Sequence, residues 1–317
     1  MGTKDTKTKQ YMEDVYHFAD AFNYFLYDGR QVILPENLMA EDTTEIAVIW
    51  GRGSEEVIQK YRDVLKSCVI KWDGNFTYVF LGIENQSDIH YAMPVKNLIY
   101  DALNYGQQVD HLAKEHRRKR DVSGDEFLSG FSKTDKIRPV ITLTIYFGAD
   151  RWDAPRCLLD MMYPLPEEVR KYVNDYRLNL IVPSEIRDFS MFSTELKNVL
   201  EFIALSENKD ALWALENDSS YEHLSVETVG LINECTSANF SIQEGEKEVN
   251  MCNGLRQLRE EGREEGREEG REEGREEGRE NLIIQLLIKH SPKEVADFTG
   301  IPLEEILRIE QSKLTTV

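Results

Sequence analysis

Residues 61–87 read YRDVLKSCVIKWDGNFTYVFLGIENQS, and the reading of this stretch decides the fold. Two runs rich in Val, Ile, Phe, Tyr and Leu flank Trp72-Asp73-Gly74-Asn75. An Asp-Gly step inside a short polar break between β-formers is a hairpin signal. The pattern predicts a strand over 62–71, a turn at 72–75 and a second strand over 76–86. Side chains two apart share one face of a strand, so Glu84 and Gln86 point the same way. Asp63 lies nine residues before the turn and Glu84 nine after it, so antiparallel pairing brings the two together. Two carboxylates and an amide oxygen at a hairpin end form a hard-oxygen site suited to Mg²⁺ or Mn²⁺.

Acid pairs at strand ends are also common as plain solvated polar residues. The distinguishing feature is that Glu84 follows Val79-Phe80-Leu81-Gly82-Ile83 without a break. A carboxylate ending so apolar a run needs a partner or a metal. Gly82 also leaves room for a backbone or a ligand to approach closely.

On Arg62-Asp63-Val64-Leu65-Lys66-Ser67 and Tyr78-Val79-Phe80-Leu81-Gly82-Ile83-Glu84-Asn85-Gln86-Ser87 the chain resembles the Rpn family. These are recombination-promoting nucleases, also described as YhgA-like transposases, built on a PD-(D/E)XK nuclease core. The resemblance implies an α/β, restriction-endonuclease-like mixed sheet flanked by helices, with a helical C-terminal extension. It implies metal-dependent hydrolysis of DNA phosphodiester bonds, linked to recombination or transposition. Asp63 and Glu84 take the family's acidic positions and would hold Mg²⁺ (or Mn²⁺), with the backbone carbonyl of Asn85 as a further donor. Gln86 stands where the wider superfamily carries Lys; Gln cannot carry charge or take a proton, so it would orient water rather than act as a base. Related nucleases place an acid on the first helix, which makes Asp20 a candidate ligand through a water. A catalytically inactive nuclease fold that binds nucleic acid or a partner is the alternative.

The rest of the chain extends this frame. Val15, Phe18, Ala19, Phe22, Phe25 and Leu26 share one face of a helix over 11–27, ended by Asp28-Gly29. Short strands are expected at Val32-Ile33-Leu34 and at Thr44–Ile49, the latter extending the sheet beside the hairpin. Gly51-Arg52-Gly53-Ser54 is a turn, without the Gly-Lys-Ser/Thr of a phosphate loop. A long helix over about 92–119 follows from Val95, Leu98, Ile99, Ala102, Leu103 and Leu112. Lys96 sits in its first turns and either contacts a DNA phosphate near the site or is simply solvated. The helix ends in His116-Arg117-Arg118-Lys119-Arg120. Cations there complement the helix dipole, and Arg117, Arg118, Lys119 and Arg120 equally form a phosphate-contacting patch. Arg138–Gly148 is β-branched and continuous, as a buried parallel strand after a crossover helix should be. A helix around Cys157–Met162, a strand at Leu178–Val182 and helices within Thr194–Leu215 and Val226–Ile232 complete a helical extension.

From Arg259 to Gly278, Arg-Glu-Glu-Gly repeats five times. Period four drifts by about 40° per copy on an α-helix, so no fixed stripe forms. Each residue meets its own kind at i,i+4, and each Gly costs about 1 kcal/mol relative to Ala. The expectation is a marginal helix or a flexible solvated linker; a coiled-coil-like association through the glycines lacks apolar residues to drive it. Beyond it, Lys293–Leu307 has a helix-turn-helix outline, but its second helix is too acidic to read DNA. An α-hairpin for homo-oligomerisation or partner docking is the better expectation. The domains are thus 11–165 nuclease-like core, 166–258 helical extension, 259–280 linker and 281–317 α-helical tail.

Net charge is −20 over 317 residues, and a bulk field of that sign opposes non-specific DNA binding. The acidity lies mostly outside the first half: residues 1–160 carry 20 basic and 25 acidic side chains, the remainder 18 and 33. A nuclease would then need a local basic surface or metal screening. The four cysteines, at 68, 157, 235 and 252, form no CxxC pair, so no zinc ribbon is expected and reduced thiols of a cytoplasmic protein are. No apolar run reaches membrane-spanning length, so no membrane partner is expected.

Overall fold

The computed structural model describes residues 3–51, 54–72, 75–236 and 238–314. It divides into two compact units, Met1–Gly254 and Leu255–Val317.

The first unit is α/β. In chain order its elements are α1 (Thr3–Glu13), α2 (Val15–Tyr27), β1 (Leu38–Ala40), β2 (Thr44–Gly51), β3 (Ser54–Tyr61), β4 (Val64–Trp72), β5 (Asn75–Gln86), α3 (Met93–Lys119), α4 (Gly124–Ser129), β6 (Val140–Tyr146), α5 (Glu167–Arg170), β7 (Asn179–Ile181), α6 (Leu196–Leu205), α7 (Lys209–Ala214), β8 (Leu224–Ser225), α8 (Val226–Cys235) and β9 (Glu248–Val249). Five strands form one mixed sheet in the order β1-β4-β5-β6-β7. β4 and β5 pair antiparallel with Val64 opposite Ile83, which puts Asp63 level with Glu84. β5 and β6 pair parallel, Glu84 opposite Thr144, with α3 as the crossover between them. Hairpin, helix and parallel strand therefore follow in the expected order. The continuous apolar run of β6 is explained by its central place: five of its seven residues, from Thr142 to Tyr146, are buried in succession. Trp152 packs edge-on against Tyr146, as core rather than as an exposed stacking platform.

Several expectations are corrected. Residues 32–34 are not a strand: the Asn23 side-chain oxygen accepts from the backbone N–H groups of Val32 and Ile33, tying this segment to α2 instead of to a sheet edge. Thr44–Ile49 does not extend the main sheet. β2 pairs with β3 in a separate two-stranded ribbon, and β1 takes the place beside β4. Only a single 3₁₀ turn, Leu159–Met161, forms near Cys157, in the segment between Pro155 and Pro164. The sheet also continues past residue 165, because β7 pairs parallel with β6 from Leu143–Asn179 to Ile145–Ile181. The Asp73-Gly74 turn and the Arg52-Gly53 step lie outside the described residues.

α9 (Met251–Leu287) starts in the first unit and continues into the second. All five Arg-Glu-Glu-Gly copies are α-helical within it, where the sequence left a flexible linker open. In the second unit α9 is followed by α10 (Pro292–Thr299) and α11 (Leu303–Leu314). Ser291 and Glu294 form a capping box at the start of α10, and Gly300 ends it in the left-handed conformation, φ 70°. Ile283, Val295, Ile306 and Ile309 form the small core of this helical group.

Candidate metal and phosphodiester site

The site is built at the end of the β4–β5 hairpin. The antiparallel register sets the backbone of Asp63 against the end of β5, and two contacts lock it there. The Asn85 N–H donates to Asp63 Oδ2 at 2.9 Å, and the Asp63 N–H lies 3.4 Å from Glu84 Oε1. The pairing expected from the spacing about the turn is therefore present. A cavity of about 290 Å³ opens here, lined by Asp5, Asp63, Asn85, Gln86, His90 and Lys96 among others.

Glu84 is 1% exposed. Burial pushes its carboxyl up to about 7, against the pull of Lys96, while Asp63 pushes it further up. Burial likewise raises Asp63, opposed by the Asn85 amide and by Lys96. Lys96 Nζ stands 3.0 Å from Glu84 Oε2. The lysine is thus at the site, as the sequence suggested, but its ammonium is paired with the acid rather than simply solvated. Its helix is fixed one residue on, where Asn97 Nδ2 donates to Thr144 Oγ1 of β6 at 2.9 Å. Gln86 Nε2 donates to the Asn85 carbonyl at 2.8 Å. The Gln86 side chain is a neutral amide, so it brings hydrogen-bonding groups and no charge to this end of the strand.

The remaining expected residues are elsewhere. The Asp20 carboxylate is buried and surrounded by the N–H and hydroxyl groups of Ser193 and Thr194, at 2.6–3.1 Å. It organises the turn before α6 and does not line the cavity. Arg117, Arg118, Lys119 and Arg120 lie at the far end of α3, roughly 30 Å from Lys96 at 1.5 Å rise per residue. Arg118 and Lys119 pair with Glu115, and His116 bridges Asp121 and Asp135.

Two contributors were missed. Asp5, in the first turn of α1, accepts from Ser87 Oγ at 2.7 Å and reaches the cavity wall. The segment TKDTKTKQYME carries no apolar stripe, so periodicity gave no helix there. Arg62, beside Asp63, is 1% exposed. It donates to Thr142 Oγ1 at 2.5 Å and reaches Asp101 Oδ1 at 3.3 Å, while Tyr176 donates to Asp101 Oδ2 at 2.6 Å. Gly82 is what admits this guanidinium: a Cβ there would lie 2.1 Å from Arg62 Nη1. The close approach read from Gly82 is thus made by a neighbouring side chain.

The donor set suits a hard divalent cation. Two carboxylates, both raised by burial, stand level on neighbouring strands, and Lys96 is set directly against Glu84. Among the described residues no group of three or more His, Cys, Asp or Glu side chains is placed to hold a metal. An ion here would therefore keep several waters, which is the habit of Mg²⁺. A larger, more apolar cavity of about 830 Å³ is lined by Tyr11, Asp14, His17, Glu195, Ser225 and Glu227 among others; Asp14 accepts from the Tyr16 and His17 N–H groups, and Glu195 from Ser225 and Thr228.

No helix among the described residues is long and apolar enough to cross a membrane. No curated protein and no solved structure matches the chain. A family model described as "Putative transposase, YhgA-like" matches residues 53–216, running from β3 through the hairpin, α3 and β6 to the end of α7. The match takes in Asp63, Glu84, Gln86 and Lys96 and spans more than half of the sequence, and the chain belongs to the YhgA-like transposase family.

Proposed function

We propose that this protein is a metal-dependent endonuclease that hydrolyses DNA phosphodiester bonds in transposition or recombination. The observation that carries the reading is the strand register that sets Asp63, on the cavity wall, level with the buried Glu84, with Lys96, also on that wall, 3.0 Å from Glu84. Asp63, Glu84 and the Asn85 carbonyl would hold Mg²⁺ or Mn²⁺. When bound, the ion polarises a phosphoryl oxygen and lowers the pKa of an attacking water. Glu84 must lose its proton to serve as a ligand, so its raised pKa ties metal loading to pH. Lys96, released from Glu84, is placed to meet a phosphate oxygen and offset its charge. Gln86 takes no proton; its amide orients water at the cavity mouth.

Nicking of supercoiled plasmid tests this. Wild-type protein should nick with Mg²⁺ and stop with a chelator. Asp63→Ala should lose about a thousandfold in rate, the equivalent of several kcal/mol of metal-dependent charge stabilisation. Cutting that persists in Asp63→Ala removes the site assignment. Wild-type protein that binds DNA without cutting it supports the inactive, binding-only alternative.

A further inference from the structure

The far end of α3 carries a second surface that the cutting site does not use. Residues 116–138 hold seven Lys or Arg against four Asp or Glu, in a chain of net charge −20. Three of the four acids are engaged locally. Asp121 and Asp135 both bond His116, at 2.7 and 2.8 Å, and Glu126 accepts from the Lys133 N–H at 3.0 Å. These contacts fold the segment back onto the last turns of α3. Gly130, left-handed at φ 70°, ends α4 so close to Ala113 that a Cβ would lie 2.6 Å from that side chain. Arg117, Arg120, Lys133 and Lys136 stay exposed, with no ion pair to any described residue. On the docked α4, Phe127 is 55% and Leu128 82% exposed.

We infer that this surface is a second DNA contact, in which Arg117, Arg120, Lys133 and Lys136 hold phosphates and Phe127-Leu128 wedges into the groove between base steps. The inference rests on the DNA reading of the first site. Spacing supports it: Lys96 to Arg117 is about 32 Å along the helix, close to the ~34 Å of one DNA turn. A duplex lying along α3 then presents an equivalent backbone to both ends. Charge supports it as well, because exposed cations around an apolar pair are the pattern of proteins that bend DNA by partial unstacking. Two apolar side chains are too little area for a membrane-bound helix.

The test is binding by the full chain without divalent ions, so that it does not depend on cutting. Fluorescence anisotropy on a 40-bp duplex across a salt series should show the slope of log K against log[salt] falling by about 1.8 in Arg117→Ala/Arg120→Ala. Phe127→Ser/Leu128→Ser should bind about tenfold more weakly, with unchanged slope and less bending by end-to-end energy transfer; Phe127→Leu should keep the wild-type affinity, a check on folding. On a hairpin-closed 6-bp duplex, about 20 Å long and too short to span both sites, the variants should lose their difference from wild type. An unchanged slope overturns the phosphate contact, and unchanged affinity in the Ser variant overturns the wedge. Equal losses on both duplexes overturn the one-turn spacing. Preference for anionic phosphatidylserine vesicles over DNA makes the surface a membrane contact instead. Loss of cutting in Asp63→Ala with binding intact would leave this second contact standing, so the two proposals fail separately.

Discussion

Asp20 and Glu84 are each 1% exposed, yet the protein treats them in opposite ways. Around Asp20, two backbone N–H groups and two hydroxyls from Ser193-Thr194 point at the carboxylate. Its lone pairs are filled by the chain itself. Glu84 has one lysine at 3.0 Å and one distant N–H at 3.4 Å. Burial with few donors is what lifts its pKa, and in the function proposed above its oxygens would serve a cation. A buried acid becomes a structural joint or a ligand according to how completely its neighbours satisfy it.

The largest expected effect that could break this contrast is on stability. Asp20→Ala strands four donors at the turn before α6 and should cost about 3 kcal/mol in denaturant unfolding. Glu84→Gln should cost less than about 1 kcal/mol, because the amide still hydrogen-bonds and Lys96 can turn to water. If the two variants unfold alike, the distinction between joint and ligand is wrong. Gly82→Ala comes next. Its methyl would displace the Arg62 guanidinium, costing about 1–3 kcal/mol by overpacking. Because Arg62 adjoins Asp63, plasmid nicking should fall with it. A fully active Gly82→Ala would show that the Arg62–Asp101–Thr142 network does not position the acid.

The smallest effect sharpens the role of Glu84. Its carboxyl is pushed up from 4.5 to about 7, so the fold favours the protonated form. In the metal-free protein this group therefore costs stability as pH rises from about 4.5 to about 7. A metal binds only the ionised form, so its affinity should be about tenfold higher at pH 8 than at pH 6, worth about 1.4 kcal/mol of added stabilisation at saturating Mg²⁺. Thermal unfolding with and without Mg²⁺ at the two pH values measures it. A shift of equal size at both would place the ion away from Glu84.

The hairpin, its acid pair and the crossover helix were legible because each rests on local rules. Asp-Gly marks a turn, alternation fixes a face, and equal spacing about the turn fixes the partner of Glu84. Lys96 was legible for the same reason, since a helix following Gln86 must begin near the end of β5. Asp5 and Arg62 were not legible. Asp5 sits on a helix with no apolar stripe, held only by what it packs against, and Arg62 is buried through residues 39 and 80 positions away. The Arg-Glu-Glu-Gly stretch was read as marginal from glycine and like-charge costs that apply to an isolated segment; in the structure it continues a helix begun at Met251. A helix already started needs no new nucleus, and that removes the costliest step.

The sequence by itself determined which residues pair at the hairpin end and that two of them are carboxylates. Only the tertiary structure decided that Glu84 is buried with its carboxylate paired to Lys96, and that Asp20 belonged to a different joint. Periodicity and turn chemistry act over a few residues, whereas the satisfaction of a buried carboxylate depends on donors that the chain delivers from far away.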